Sequence, residues 1–166
     1  CLDDKQVPKI EHFQGNTFII FNAFSYAEKS LMIDEINLFI VKNFLITISG
    51  HNSGTRKPLN NIREIIENNN TNAKTGPDFL MHLILDYLVD QKYKAFDDME
   101  DELEEAEESL LGNVGKFKPT QLLRLRKDLL ILRKSLFHER EILVKICRMD
   151  CPFVKEKAIV HYRDIY

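Results

Sequence analysis

Two aspartates on one predicted helix are the residues of this chain best suited to chemistry. Asp86 and Asp90 stand four positions apart in a segment that is otherwise mostly apolar. Residues at that spacing lie on the same face of a helix. A carboxylate in apolar surroundings needs water, a basic partner or a metal ion, because an unpaired buried charge is costly. Two partners stay open: a Lys or Arg from a neighbouring helix, or a hard divalent cation, which binds carboxylate oxygens and water.

No other group of residues indicates a reaction centre. His82 lies on an apolar helical segment and is expected to be a hydrogen-bonded core residue. Serine, cysteine and histidine fit no nucleophilic motif, and Gly50 and Gly54 lack the Lys and Ser or Thr of a phosphate-binding loop. We therefore expect a protein that is not an enzyme and has no organic cofactor. The five histidines show no metal-ligand spacing: His12, His51, His82, His138 and His161.

The composition is typical of a soluble globular protein. The chain has 166 residues, of which 44% are hydrophobic and 30% charged, and this length suits one domain with a real core. Its net charge of −3 is too small to imply a polyanionic partner. No run approaches the roughly 20 apolar residues that a membrane helix needs, and the start lacks a signal-peptide pattern. Three cysteines cannot all pair within one chain and are expected to be reduced: Cys1, Cys147 and Cys151.

Residues 17–50 have the alternating, β-branched and aromatic pattern of three strands. We predict strands over 17–24, 33–41 and 44–49, with Lys42 and Asn43 as a two-residue turn. Alternation assigns Phe18 and Ile20 to the core face of the first strand, and 36, 38 and 40 to that of the second. Three strands are few for a sheet, so we expect further strands upstream.

Helices are predicted for most of the remaining chain. Pro58 fits the first turn of a short helix with apolar residues at 59, 62, 65 and 66, followed by a polar stretch from 68 to 76. A long helix is predicted from Pro77 to about Leu111 and a second from about Thr120 to Arg148. A third is predicted from Pro152 to the end, where no stop signal follows. We therefore expect this chain to be a fragment.

The first two long helices carry opposite charges. Nine of the twelve residues in 97–108 are acidic, and residues 116–148 contain ten basic residues against three acidic ones. A short connection makes such helices antiparallel. The acidic run is expected to be a solvated face, partly neutralised by Arg124, Arg126 and Lys127. A leucine stripe on the basic helix predicts a coiled-coil seam facing Met99, Leu103 and Leu110: Leu122, Leu125, Leu129, Leu132 and Leu136.

The last residues, Tyr162-Arg-Asp164-Ile-Tyr166, resemble the Tyr-x-Arg-Asp-[Val/Ile]-Tyr-Asp-His stretch of CorA-type divalent-cation transporters. The segment Leu85-Asp-Tyr-Leu-Val-Asp90 is similar to the family's Ile-Asp-Ala-Leu-Val-Asp. The start, Gln6-Val-Pro-Lys-Ile-Glu11, is similar to Gln-Arg-Pro-Lys-Val-Glu. Because these pieces keep their order and spacing, the resemblance extends over nearly the whole chain.

This resemblance implies a homopentameric magnesium and cobalt channel in the inner cell membrane, with this part on the cytoplasmic side and two membrane spans beyond it. Asp86 and Asp164 match carboxylates of a regulatory metal site between subunits. Asp90 lies near that site by resemblance, as do Asp3 and Asp4. Mg²⁺, or Co²⁺ or another divalent cation, is then both the regulatory and the transported ion, and no nucleic acid is a partner.

The fold class that follows is α+β, of the α/β/α sandwich type, without a membrane span in this chain. Residues 1–75 form the C-terminal part of the α/β domain with a partial β-sheet, 76–150 a long antiparallel helical hairpin, and 151–166 the start of the stalk helix. The expected function is metal sensing that gates passive ion influx. Two alternatives stay open: a zinc-transporting branch of the same family, and a soluble α/β interaction module that binds partners through the charged hairpin.

Overall fold

The computed structural model describes residues 6–49, 59, 62–68, 76–112 and 118–166. These ranges contain four strands followed by four helices. The predicted polar stretch falls largely outside them, as do Pro58, Asp3, Asp4 and Cys1. The strands are β1 (Lys9–His12), β2 (Thr17–Ala27), β3 (Ser30–Ile40) and β4 (Leu45–Ser49). The helices are α1 (Ile62–Asn68), α2 (Pro77–Gly112), α3 (Pro119–Cys147) and α4 (Glu156–Ile165).

The strands form one antiparallel sheet in the order β1-β2-β3-β4. The prediction gave no bounds for β1 and ended the first strand too early, because β2 and β3 pair as far as Ala27 and Ser30. The turn between them is Glu28-Lys29, whose φ values are 51° and 58°. Both residues have the positive φ that tight hairpins require, yet neither is a usual turn residue such as Gly or Asn. This hairpin therefore gives no turn signal in the sequence.

The core face of β2 differs from the predicted one. Ile19 lies opposite Leu38, and Phe21 lies opposite Ile36, so these residues share the face that packs on the helices. Phe18 points to the other face, where its ring stacks on Phe39 at 4.5 Å. Residues 19, 20 and 21 are all fully buried. Since β2 is covered on both faces there, alternation cannot reveal which face meets the main core. The predicted inward positions 36, 38 and 40 on β3 are confirmed.

The main core lies between this sheet face and three helices. Helix α2 contributes Met81, Ile84, Leu85 and Leu88, while α3 contributes Ile142, Leu143 and Ile146. Helix α4 adds Ala158, Ile159 and Tyr162. It begins at Glu156 rather than at Pro152, because Pro152 lies in a turn in which the Val154 N–H donates to the Cys151 carbonyl. Of the described helices, none combines the length and hydropathy needed to cross a bilayer.

Helices α2 and α3 form the predicted antiparallel hairpin. Glu102, late in α2, pairs with Arg124, early in α3, whereas Lys92 pairs with Glu139 farther from the connection. Along the leucine stripe, Leu125 and Leu132 are buried, whereas Leu136 is 41% exposed. Leu110 on α2 is also exposed, so neither Leu110 nor Leu136 belongs to the seam.

The leucine stripe of α3 packs against β2 as well as against α2. Phe24 and Tyr26 from β2 join Met99, Leu125 and Leu132 in a second hydrophobic cluster. The Tyr26 hydroxyl donates a hydrogen bond to Glu102, which also accepts one from Arg124. The end of the β2–β3 hairpin therefore packs against both long helices. The predicted two-helix seam is in fact a three-element contact.

Candidate cation-binding face on helices α2 and α4

Helix α4 lies alongside the first half of α2 and is fixed to its N-terminal end. The buried Tyr162 hydroxyl donates a hydrogen bond to the backbone carbonyl of Asp78 at 2.6 Å. The backbone N–H of Lys155 donates to the Asp78 carboxylate at 3.2 Å. Gly76 permits this approach, because it has a φ of +147° and a Cβ there would lie 2.6 Å from Asp78 Oδ1. These contacts set the position of every later residue of α4 relative to α2.

The structure brings together the aspartates predicted from the sequence. Asp86 and Asp90 on α2 and Asp164 on α4 are all exposed. Partial burial and the negative charge of Asp164 raise the pKa of the Asp86 carboxyl. Partial burial and the charge of Asp86 likewise raise the pKa of Asp90. Asp86 thus interacts electrostatically with both Asp164 and Asp90, and we call these three exposed carboxylates the aspartate face.

No basic side chain of the described residues forms an ion pair with the aspartate face. The sequence left two partners open for these carboxylates: a Lys or Arg side chain, or a cation. Among the described residues, no Lys or Arg forms an ion pair with them. Carboxylate oxygens are the ligands that hard divalent cations prefer, so the donor set fits Mg²⁺. Within the described ranges, however, no three His, Cys, Asp or Glu side chains are placed to hold an ion by themselves. The described residues of one chain therefore form no complete cation site.

Two histidines lie next to this face. The ring centroids of His82 and His161 are 5.2 Å apart, and Phe79 packs against both, at 5.4 and 5.0 Å. His82 is 8% exposed, as expected for a core residue, but its Nδ1 has no hydrogen-bond partner among the described residues. Burial, followed by the charge of His161, lowers the pKa of His82 to about 4. His82 is therefore a neutral imidazole at pH 7.

A buried polar network that the sequence analysis missed lies farther along α2. Lys92 and Glu139 are 3% and 2% exposed, with 3.0 Å between Nζ and Oε2. Burial lowers the pKa of Lys92 and raises that of Glu139, and the attraction between the two charges opposes both shifts. Glu139 Oε1 also accepts hydrogen bonds from the Asn22 N–H and the Ser135 hydroxyl. Strand β1 pairs with β2 only as far as Ile20, so the backbone N–H of Asn22 has no strand partner on that edge. Glu139 accepts the hydrogen bond from this N–H instead.

A sequence signal for this network exists. On α2 the buried positions 88, 92, 95 and 99 follow one another at spacings of four, three and four, and Lys92 is the only charged residue among them. On α3 the buried positions 132, 135, 139 and 142 are spaced three, four and three residues apart, and Glu139 is the only charged one. One charged residue in a mostly apolar stripe on each of two antiparallel helices, with opposite signs, indicates a buried pair.

Comparison with known proteins assigns the chain to a family. The model for the CorA-like Mg²⁺ transporter protein family matches residues 1–166. The cobalt/magnesium transport protein CorA of Thermotoga maritima is 27% identical over 99% of this chain and 47% of that protein. A putative metal ion transporter of Bacillus subtilis is 28% identical over 100% of this chain and 50% of that protein. The chain spans about half the length of these curated relatives.

Solved structures share the fold. The complete CorA magnesium transporter of Methanocaldococcus jannaschii is 26% identical with a TM-score of 0.79, over 99% of this chain and 51% of that one. The soluble domain of the same CorA is 25% identical with a TM-score of 0.77, over 99% and 65%. The ZntB cytoplasmic domain of Vibrio parahaemolyticus, with 15% identity, a TM-score of 0.62 and coverage of 99% and 66%, shares the fold alone. The predicted α+β fold class is confirmed, and the chain belongs to the family of CorA-like Mg²⁺ transporter proteins.

Proposed function

We propose that this chain is the cytoplasmic, metal-sensing part of a transporter that gates the passive influx of Mg²⁺ or Co²⁺. The observation that carries the proposal is the meeting of Asp86 on α2 with Asp164 on α4. Both carboxylates are exposed, and the charge of Asp164 makes ionisation of Asp86 harder. Like charges held this way repel each other unless a cation lies close to both.

The chemistry of the aspartate face suits Mg²⁺ as the regulatory ion. Mg²⁺ keeps several of its waters and is usually bound through one or two carboxylates. Asp86 and Asp164 supply those carboxylates, and Asp90 adds a further negative charge one turn away on α2. Water or a neighbouring copy of the chain would fill the remaining coordination positions of Mg²⁺, since the described residues form no group of three ligands.

The proposed mechanism is a linkage between ion binding and gating. In the whole protein, which we propose to be a homopentamer of the inner membrane, the aspartate face lies at the contact between neighbouring subunits. An ion that binds the closed arrangement more tightly shifts the population toward it. When internal Mg²⁺ falls, unneutralised carboxylates repel one another and loosen this contact. Weak binding through few carboxylates lets the ion leave at cellular concentrations.

Magnesium and cobalt are preferred to zinc as the transported ions. Relatives named for cobalt and magnesium transport are 27% identical to this chain, over nearly its whole length. The likeness to the ZntB domain, at 15% identity, is a likeness of fold. The zinc-transporting alternative therefore has weaker support.

Flux through the whole transporter tests the proposal. Vesicles loaded with increasing Mg²⁺ are prepared with the parent protein and with Asp164→Asn. We expect the variant to conduct normally at low internal Mg²⁺ and to stay open at concentrations that close the parent. Asp150→Asn is the matched control, because Asp150 is also exposed but lies on the turn between α3 and α4. If Asp164→Asn closes at the same internal concentration as the parent, Asp164 has no sensing role.

A further inference from the structure

A groove that the proposed function does not use lies between α3 and α4. Helix α3 ends in a turn in which Met149 has a φ of 62° and the Asp150 N–H donates to the Lys145 carbonyl at 3.0 Å. Such a turn reverses the chain, so α4 returns alongside the second half of α3. Farther from the turn, Arg140 Nη2 donates a hydrogen bond to the Tyr166 hydroxyl at 2.6 Å. The space between the two helices has a volume of about 650 Å³.

Three arginines that are far apart in sequence line this groove. Arg140 and Arg148 come from the end of α3, and Arg163 comes from α4. All three are exposed, and no carboxylate of the described residues forms an ion pair with any of them. Glu141 is the only acidic residue among the described ones that line the groove. Three positive charges against one negative charge leave the groove with a net charge of +2.

Helix ends explain only part of this arrangement. The partial negative charge at a helix C-terminus attracts cations, which accounts for Arg148 just after α3 and for Arg163 in the last turn of α4. Arg140 lies about two turns before the end of α3, where this effect has faded. Its guanidinium is held by Tyr166 instead, through the hydrogen bond and with its Cζ 5.2 Å from the ring centre. Arg140 is therefore oriented before any ligand arrives.

We propose that this groove binds the phosphate group of a small soluble ligand, either a phosphate ester or pyrophosphate. The planar guanidinium fork matches the oxygens of a phosphate and can donate two hydrogen bonds to them. A phosphate ester carries a charge of about −2 at pH 7, which neutralises the groove. The half-buried Val144 and Cys147 add an apolar wall for the organic part of an ester, and the volume lies in the range of small-molecule sites. This inference does not depend on the proposed function, because it requires neither a metal ion nor the aspartate face.

Calorimetric titration of the chain with pyrophosphate and with ADP tests the inference. The buffer contains EDTA and has a fixed ionic strength, so that neither metal binding nor screening varies. We expect both probes to bind the parent, and Arg140→Gln and Arg163→Gln each to lower the affinity by about tenfold or more. Arg140→Lys should restore only part of the loss, because an ammonium group lacks the fork. Arg126→Gln is the matched control, since Arg126 is an exposed arginine of α3 that lines a different surface groove.

Cys147 reports whether the probe lies in this groove. Burial raises the pKa of its thiol, and the charge of Arg163 opposes this rise, so the thiol lies close to the arginines. Bound pyrophosphate or ADP should therefore slow the alkylation of Cys147 by iodoacetamide, as measured by mass spectrometry of its peptide. Cys151, which is 1% exposed, is the internal reference for a folded chain. In Arg140→Gln the protection of Cys147 should be lost.

Three outcomes would overturn the inference. The first is that neither probe binds the parent chain. The second is that Arg140→Gln and Arg163→Gln bind both probes as tightly as Arg126→Gln does. The third is that the probes bind without protecting Cys147, because the anion would then lie elsewhere on the chain.

Discussion

Lys92 Nζ lies 3.0 Å from Glu139 Oε2, and this ion pair joins α2 to α3 where both helices pack on β2. The Lys92 ammonium also lies 4.0 Å from the centre of the Phe21 ring. Few buried charges are tolerated unless they are paired and hydrogen-bonded. Here the pair, Ser135 and the Asn22 N–H form one network. The network connects α2 and α3 to the backbone of β2.

Breaking this pair should destabilise the protein strongly. Lys92→Met leaves Glu139 charged and buried without its cation, which typically costs about 3–5 kcal/mol. The double variant Lys92→Met/Glu139→Leu should recover part of the loss, because no unpaired charge is left. Urea denaturation of the parent, both single variants and the double variant measures the coupling. Equal and additive losses would mean that the two charges do not interact in the folded state.

The leucine stripe should contribute more to stability than the charges of the hairpin. Leu132 is 2% exposed, so Leu132→Ala should cost about 2–5 kcal/mol. Leu130→Ala, which lies on the same helix off the stripe at 53% exposure, is the matched control and should cost much less. Glu105→Gln removes an exposed pair with Lys29 and should change stability by no more than about 0.5 kcal/mol. Chemical denaturation decides, and a similar loss from all three variants would contradict the three-element packing.

We predict that the ionisation of Tyr26 destabilises the folded protein at alkaline pH. Burial, together with Glu102, raises the pKa of Tyr26 to about 12 from 10.0. Above pH 10 the unfolded chain releases this proton while the folded protein keeps it, so stability falls as pH rises from 10 to 12. The expected contribution is about 2 kcal/mol across this range. Stability curves of the parent and Tyr26→Phe should therefore converge between pH 10 and 12, and parallel curves would show that Tyr26 ionises normally.

Removing one charge of the aspartate face should stabilise the metal-free chain. Asp86→Asn abolishes the repulsion between Asp86 and both of its acidic neighbours, so its melting temperature without Mg²⁺ should be higher than that of the parent. Under the proposed function, added Mg²⁺ should raise the melting temperature of the parent but not of the variant. Asp101→Asn, in the exposed part of the acidic run, is the control. An equal response of Asp86→Asn and the parent to Mg²⁺ would exclude Asp86 as a ligand.

Elements whose residues carry a local signal could be predicted without the structure. The helix starting at Pro77 and the inward residues of β3 follow from helix-start chemistry and from alternation. The pairing of α2 with α3 follows from a short connection between two long helices. The spacing of Asp86 and Asp90 placed them on one face of α2, and the resemblance of the C-terminal residues to a known family singled out Asp164.

Contacts between elements far apart in sequence could not be predicted without the fold. The Glu28-Lys29 turn carries no turn signal, and its hairpin is held by Tyr26, Glu102 and Arg124 instead. Lys92 and Glu139 became partners because two antiparallel helices bring their interrupted apolar stripes together. His82 and His161 met because Tyr162 fixes α4 to the start of α2. Local sequence patterns reflect the position of a residue within its own helix or strand. Contacts between distant elements depend instead on how those elements pack against one another.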